Sequence, residues 1–344
     1  MLKYLIFICI TFIACSKPEK VKSEDIHPKA DHELIVEHLR QITKTDGYRN
    51  YQNIPLLNQT ADYILSIFSQ YADTAWLQSY EVEGNIYQNV VCRFGMKDKP
   101  VIIVGAHYDV CGNQEGADDN ASGVTGLLEL ARLLNGYSLE YPIELVAYSL
   151  EEPPYFRTSR MGSYIHAKSL YDEHTDVYGM LVLEMIGFYN DKKGSQNYPV
   201  KPMKAVYGTK GDFILLARRT GAGTFVNRFS SEFNKTAELP VKNIKAPAKI
   251  QGMDFSDHLN YWQFGYDALM VTNTAFYRNK NYHRPTDTME TLDIPQMASV
   301  IDGVYRTLLV VSKEKNPSPV NTPKSGTKKL QTAYNSILPV SSED

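Results

Sequence analysis

Residues 101–135 read VIIVGAHYDVCGNQEGADDNASGVTGLLELARLLN, which predicts a strand, a polar loop and a helix in immediate succession. The β-branched and small residues 101–104 indicate a buried strand, and it ends in the tripeptide HYD at 107–109. After a loop that contains Asp118, apolar residues recur at helical spacing as far as Leu134. In an open α/β sheet this loop lies in the crevice at the carboxyl ends of the strands, where ligands bind. The stretch therefore predicts an α/β fold with a polar site between this strand and this helix.

Apolar strands alternate with amphipathic segments along the rest of the chain. Period and composition predict strands at 81–94 (with a turn near 84–85), 100–106, 143–150, 180–186 and 267–272. Helices are expected at 32–45, 58–71, 161–170, 212–233 (interrupted by a Gly-Ala-Gly triplet), 256–265 and 294–311. This alternation predicts a three-layer α/β/α sandwich around a mixed, mostly parallel sheet.

The composition is that of a folded globular protein. Of 344 residues, 43% are hydrophobic and 22% are charged, and the formal net charge is −3. Neither this charge nor any basic stripe in the body of the chain favours a nucleic-acid partner. We expect one folded domain over residues 31–313.

The two ends of the chain have a different composition. Lys3 precedes a short apolar run that ends in Ala-Cys-Ser, and this segment resembles a bacterial lipoprotein signal peptide cleaved before Cys15. An ordinary secretory signal is the alternative, and both imply export. We therefore expect a signal peptide at 1–14, a lipid-attached tether at 15–30 on the periplasmic or cell-surface side of a bacterial membrane, and a disordered Pro-, Ser- and Lys-rich tail at 314–344.

Two cysteines remain in the body of the chain, Cys92 and Cys111. Cys92 lies in the predicted strand 81–94 and Cys111 at the exit of the next strand; if the two segments are neighbours, a disulfide is an open alternative in an exported protein. A more specific alternative is that Cys111, near His107, acts as a nucleophilic thiol. Buried or bridged cysteines are far commoner, and the sequence favours them.

Candidate metal ligands follow several of the predicted strands. They are His107 with Asp118, then Glu151 and Glu152, then Glu184, and finally His283. Carboxylates at the ends of apolar strands cost free energy unless something neutralises them, and divalent cations would do so. Asp109 lies on the same side of the extended segment as His107, where it can orient the imidazole ring.

Six motifs occur in order: HYD, GADDNASG, SLEE, LEMIG, SDH and YHRPTDT. Together they resemble the co-catalytic zinc aminopeptidase family, the metallopeptidases related to glutamate carboxypeptidase and glutaminyl cyclase. The resemblance covers about residues 89–301. It implies a zinc-exopeptidase fold and a peptide substrate.

The resemblance also implies a role for each motif residue. Asp118 would bridge two zinc ions, His107 and Glu184 would complete one site, and Glu152 and His283 would complete the other. Glu151 would be the general base, and Asp109 would orient His107. Many relatives have Asp where this chain has Glu184, so we expect that site to be the weaker one and one bound zinc to be the alternative to two.

Several further residues have two interpretations each. Tyr282 could donate to the developing oxyanion or simply pack beneath its loop. His258 resembles a residue near the substrate pocket, with helix capping or support of the ligands as the alternative. Arg278 is a candidate for a substrate carboxylate, as are Arg157 and Arg160, although most such arginines pair with surface acids.

The sequence thus favours a zinc-dependent exopeptidase, with an aminopeptidase as the first choice. A glutaminyl-cyclase-like acyltransferase with a single zinc ion is the alternative. A binding domain without catalysis is disfavoured, because every ligand position and Glu151 have chemically competent side chains. The oligomeric state is left open.

Overall fold

The structure is a computed structural model that describes residues 28–96 and 98–313. The predicted signal peptide, the tether as far as residue 27 and the C-terminal tail lie outside the described residues, so their assignments stay predictions. Among the described helices, none combines the length and the apolar character needed to span a bilayer.

The chain forms eight α-helices and eight strands over its described part. The helices are α1 (His32–Thr43), α2 (Ile54–Tyr71), α3 (Gly123–Leu134), α4 (Gly162–Asp172), α5 (Met203–Tyr207), α6 (Thr224–Thr236), α7 (His258–Gln263) and α8 (Ile294–Val311). The strands are β1 (Thr74–Val82), β2 (Asn85–Phe94), β3 (Val101–His107), β4 (Ile143–Tyr148), β5 (Val177–Glu184), β6 (Ile214–Arg219), β7 (Val241–Ala246) and β8 (Ala268–Thr272).

The strands build one sheet in the order β1-β2-β4-β3-β5-β8-β6-β7. The four central strands, β4, β3, β5 and β8, are mutually parallel. β2 joins β4 and β6 joins β8 in antiparallel orientation. Because the central strands point the same way, their carboxyl ends meet at one edge, and this edge holds the site described below.

Side chains alternate between the two faces of the sheet, as a strand period of two requires. On β3, Ile102 and Val104 join the core formed with α1, α2, α3, α6 and α8. Val101 and Ile103 point into the second core, which includes residues of α4 and α7. Helices therefore cover both faces, and the predicted three-layer α/β/α sandwich with a mixed sheet is confirmed.

Helix α3 begins close against the end of β5. A Cβ placed on Gly123 would lie 2.4 Å from the carbonyl oxygen of Leu183, so only glycine permits this approach. The close contact brings the loop before α3 next to Glu184, the last residue of β5.

The helix predicted at 212–233 is wrong in its first half. Residues 214–219 form β6, which pairs with β8 and β7, and only 224–236 are helical. The run Ile-Leu-Leu-Ala is buried in the sheet, and Gly221, with φ +84°, separates the strand from the helix. Periodicity cannot distinguish a helix from a strand in such a short apolar segment, and here pairing with neighbouring strands made it a strand.

The disulfide considered for Cys92 and Cys111 does not form, because both cysteines are free. Cys92 is buried in β2, within the core on the α1 and α2 side. Cys111 is partly exposed in the loop that follows β3.

Candidate active site

The carboxyl edge of the sheet gathers the residues that follow separate strands. His107 is the last residue of β3 and Glu184 the last of β5, while Glu151 and Glu152 follow β4. His283 enters from the loop after β8. The structure therefore brings together five of the six candidates from the strand ends; the exception is Asp118.

The first half of the cluster surrounds His107. Its Nε2 lies 3.3 Å from Oδ1 of Asp119, 3.6 Å from Oε2 of Glu184 and 3.9 Å from Oε2 of Glu151. All four side chains are at least nine-tenths buried. Donor atoms of His107, Asp119 and Glu184 lie within 4.8 Å of one another, close enough for one metal ion.

The second half surrounds His283. Its Nε2 lies 3.2 Å from Oδ2 of Asp119 and 3.2 Å from Oε2 of Glu152. Asp119 therefore stands between the two imidazoles, with one carboxylate oxygen near each. A donor atom of Cys111 also lies within 4.8 Å of one from Glu152 and one from His283.

The expected bridging role of Asp118 is corrected by this geometry. Oδ1 of Asp118 accepts hydrogen bonds from the backbone N–H groups of Gly187 (2.9 Å) and Phe188 (3.1 Å). Its Oδ2 accepts from the side-chain amides of Asn273 and Asn279, both at 2.8 Å. Asp118 thus ties loops together, and Asp119 occupies the position between the histidines.

A second buried acid, Asp287, holds this pair of aspartates in place. Its two oxygens accept the backbone N–H groups of Asp118 and Asp119, each at 3.0 Å. Burial, helped by the charge of Asp118, raises the pKa of Asp287 to about 8. The sequence analysis missed this residue; its position in the motif YHRPTDT, four residues after His283, was the available signal.

Asp109 lies beside His107 as predicted, with Oδ1 3.5 Å from Nδ1 of the ring. The same carboxylate accepts the backbone N–H groups of Glu151 and Glu152, both at 3.1 Å. The backbone carbonyl oxygen of Asp109 lies closer to the same Nδ1, at 3.2 Å, within hydrogen-bond distance. Asp109 therefore orients the imidazole, while its carboxylate fixes the start of the loop that carries both glutamates.

Glu184 is held by a residue that the sequence analysis did not single out. The hydroxyl of Ser256 donates to Oε2 of Glu184 at 2.6 Å, and the Asn120 amide lies 3.5 Å from the same oxygen. The longer arm of Glu, compared with Asp, is thus accommodated and restrained. Ser256 belongs to the motif SDH, which is the signal that pointed to it.

The cluster contains more negative than positive charge. Burial raises the pKa values of Glu151, Glu152 and Glu184, that of Glu152 to about 7. Burial opposes the charged form of His107 and of Asp119 as well. For His107, the charges of Glu151 and Glu184 outweigh it and raise the pKa, whereas the two imidazoles beside Asp119 lower the pKa of that carboxyl.

These residues fit divalent cations. When all four are ionised, the carboxylates of Asp119, Glu151, Glu152 and Glu184 carry four negative charges, which exceed the two positive charges of the protonated imidazoles. Oδ2 of Asp119, Oε1 of Glu152 and Nε2 of His283 have no hydrogen-bond partner within the described residues. Buried polar atoms without partners are costly, and the donor set of imidazole nitrogen and carboxylate oxygen suits zinc.

Tyr282 lies directly over a predicted ligand. Its ring stacks on the ring of His283, with centroids 3.8 Å apart and planes within 16°. Burial and the charges of Asp119 and Glu152 raise the pKa of Tyr282, so the phenol keeps its proton at neutral pH. Both predicted interpretations, packing and donation, are compatible with this position.

His258 does not reach the substrate side. The ring is fully buried, its Nε2 donates to the carbonyl oxygen of Met253 at 2.8 Å, and it packs edge-on against Trp262 at 4.5 Å. The helix-capping interpretation is also wrong, because the residue before α7 is Asp257 and its side chain makes no cap hydrogen bond. His258 is a core residue beneath the site.

The arginines considered for a substrate carboxylate are engaged elsewhere. Arg278 is 2% exposed; its Nε donates to Oε1 of Gln196, and its guanidinium lies 4.5 Å from the ring centroid of Phe213. Arg157 pairs with Asp254 at 2.6 Å, and Arg160 pairs with Glu83. The expectation that Arg278 binds substrate is therefore corrected.

A cavity of about 350 Å³ opens beside Glu184. Strands β6, β7 and β8, helix α5 and the loops above the strands line it mainly with apolar side chains, among them Met203, Leu215, Ile244, Met270 and Phe276. A pocket of this size and polarity next to the cluster suits an apolar side chain.

Residues 89–308 match the peptidase family M28. The protein YfbL of Escherichia coli (strain K12), which is uncharacterised, is 44% identical over 292 residues, covering 83% of this chain and 89% of YfbL. A probable leucine aminopeptidase of Arthroderma otae is 25% identical over 277 residues, covering 74% of this chain and 66% of that protein.

Solved structures of the same fold include an aminopeptidase and a cyclase. The LapA aminopeptidase of Legionella pneumophila has a TM-score of 0.66 at 19% identity, covering 83% of this chain and 73% of LapA. The glutaminyl cyclase of Tannerella forsythia has a TM-score of 0.60 at 17% identity, covering 84% of this chain and all of that one (100%).

The family match confirms the predicted zinc metallopeptidase class, and the structural neighbours confirm the zinc-exopeptidase fold. From its sequence match and its architecture, the chain belongs to peptidase family M28.

Proposed function

We propose that this protein is an aminopeptidase that binds two zinc ions and removes residues from the free N-terminus of peptides. One observation carries the proposal: Asp119 lies between His107 and His283, with one oxygen 3.3 Å and the other 3.2 Å from the two ring nitrogens. A single carboxylate placed in this way would offer one oxygen to each of two ions. Glu184 would complete the site of His107, and Glu152 that of His283.

Zinc bound there polarises a carbonyl group and lowers the pKa of water. Glu151 supplies the proton transfer. It is 7% exposed, and burial raises the pKa of its carboxyl well above the usual value. A carboxyl with a raised pKa can accept the proton of the attacking water and then donate it to the leaving amine. Tyr282 keeps its proton and, from its position over the His283 ring, would donate to the developing oxyanion.

The arginines near the cluster bear on which end of a peptide is cleaved. The arginines that would bind a C-terminal carboxylate, Arg278, Arg157 and Arg160, are already paired or stacked. The names of the Arthroderma otae relative and of the aminopeptidase YwaD of Bacillus subtilis point the same way.

The cavity beside Glu184 supports a preference for an apolar first residue. Its lining is mainly apolar, and about 350 Å³ accommodates a Leu, Met or Phe side chain. Burying such a side chain contributes about 1.5–3 kcal/mol of binding free energy. We therefore expect Leu and Phe to be released faster than Gly, Asp or Lys.

A peptide panel tests the proposal. Each peptide is offered free, blocked at the N-terminus and blocked at the C-terminus, and metal content is measured on the same sample. We expect N-terminal residues to be released only from peptides with a free amine, with two zinc ions per chain. Release from the C-terminus, or cyclisation of N-terminal Gln with one zinc ion, would overturn it.

We also propose that the mature chain is attached to a bacterial membrane through lipid on Cys15. The support is the sequence alone, the apolar run after Lys3 that ends in Ala-Cys-Ser. Cys15→Ser should release the protein from membranes or stall its processing, whereas the matched variant Cys92→Ser should not. Unchanged membrane association of Cys15→Ser would contradict the anchor.

A further inference from the structure

The loop after β3 holds a free thiol at a fixed place. Cys111 is partly exposed and unpaired with any other cysteine. On one side of it, the backbone N–H of Val110 donates to the carbonyl oxygen of Arg49 at 3.2 Å. On the other side, the amide of Asn50 donates to the carbonyl oxygen of Gly112 at 2.9 Å. The backbone around the thiol is therefore anchored.

This thiol faces one half of the metal cluster. The sulfur of Cys111, a carboxylate oxygen of Glu152 and a ring nitrogen of His283 all lie within 4.8 Å of one another. Around one tetrahedral zinc ion, with bonds of about 2.0–2.3 Å, donor atoms are roughly 3.3–3.8 Å apart. The three donor atoms therefore lie within about 1–1.5 Å of the spacing that one ion requires.

The neighbouring candidate metal-binding atoms of Glu152 and His283 have no hydrogen-bond partners among the described residues. Oε1 of Glu152, on a side chain 4% exposed, has no hydrogen-bond partner within the described part of the chain, and neither has Nε2 of His283. A buried carboxylate oxygen without a partner carries a desolvation cost that a cation offsets. The thiol therefore stands beside donors that themselves point to a bound ion.

We propose that Cys111 is an additional ligand of the metal ion held by Glu152 and His283. The sulfur coordinates as thiolate, and its proton is released to solvent, with no change of oxidation state. A thiolate makes this half of the cluster softer than the half around His107 and Glu184, which has only nitrogen and oxygen donors. The Glu152–His283 half is then the tighter one, and it prefers zinc, cobalt or cadmium to manganese.

The inference rests on the metal site of the proposed function but not on its substrate. The test uses the full chain freed of metal and titrated with Co²⁺, which reports ligand type by absorption. We expect a near-ultraviolet sulfur-to-cobalt charge-transfer band in the unchanged protein and in the control Cys92→Ser. Cys111→Ser should lose this band, keep the visible cobalt bands, and bind the first Co²⁺ at least about tenfold more weakly.

A second measurement needs no variant. Stoichiometric Zn²⁺ should slow alkylation of Cys111 by iodoacetamide by at least about tenfold, because a coordinated thiolate is a poorer nucleophile. Cobalt binding without the charge-transfer band, a band that persists in Cys111→Ser, or alkylation that zinc leaves unchanged would overturn the role of Cys111 alone. Failure to bind cobalt at all would overturn the metal site of the proposed function with it.

Discussion

Asp118 and Asp119 are adjacent in the chain, yet their carboxylates have different partners and different roles. Asp118 accepts four hydrogen bonds from loops that surround the site, whereas Asp119 lies between two imidazoles. The two residues should therefore fail in different ways when they are changed.

Asp119→Ala should abolish binding of at least one metal ion, because both halves of the cluster lose a donor. Asp118→Ala should retain the metal ligands but leave several buried donors without an acceptor, which costs at least about 3 kcal/mol of unfolding free energy. Metal analysis and denaturant unfolding on both variants check this. Normal metal content in Asp119→Ala, with loss of metal in a folded Asp118→Ala, would restore the bridging role to Asp118.

Glu151 and Glu152 offer a second matched pair. Glu151→Gln keeps the shape but cannot accept a proton, so turnover should fall by about two orders of magnitude or more while metal content persists. Glu152→Ala removes a ligand, so metal content and melting temperature should fall together. If Glu151→Gln loses metal and keeps activity in excess zinc, the two assignments are reversed.

Tyr282→Phe tests donation to the oxyanion separately from packing, because Phe keeps the ring that stacks on His283. We expect kcat to fall by about 100-fold with unchanged metal content and a small change in KM. The control is Tyr277→Phe, which removes a hydroxyl that bonds to Gln251 at 3.5 Å in the same region. Equal kinetics for the two variants would leave Tyr282 with packing alone.

His258 should make the fold sensitive to acid. Burial, with a smaller opposing effect of the Met253 carbonyl, lowers the pKa of this ring from 6.5 to about 4. The folded state therefore prefers the neutral ring, so the stabilisation is complete above pH 6.5 and is lost as pH falls towards 4.

A comparison of variants isolates this contribution. The unfolding free energy of the unchanged protein should fall by on the order of 3 kcal/mol more than that of His258→Gln between pH 6.5 and 4. Chemical denaturation of metal-free samples measures it, with the exposed His174→Gln as control. Parallel stability curves for the unchanged protein and His258→Gln would show that the ring does not titrate in this way.

The local pattern of the sequence was sufficient for the architecture and for most of the site. Apolar runs followed at once by His107, Glu151 or Glu184 predicted buried parallel strands, and parallel strands place their last residues at one edge. The sequence therefore predicted that these residues lie close together, although it gives no distances between them. The helix 294–311 was predicted with its observed limits because its period and its proline-containing start are local features.

Other outcomes depended on contacts between distant parts of the chain. Asp118 and Asp119 cannot be distinguished by local sequence. They differ because the amides of Asn273 and Asn279 and the backbone near Gly187 donate hydrogen bonds to Asp118. From the sequence, Arg278 was a candidate to bind substrate. In the structure, its guanidinium instead contacts Phe213 and Gln196. Residues 214–219 became a strand because β8 and β7 offered backbone partners on both sides. The sequence by itself determined which chemical groups reach the edge of the sheet. Only the tertiary structure decided which of these groups face one another. The reason is that hydrogen bonds and burial between remote segments set the direction of each side chain.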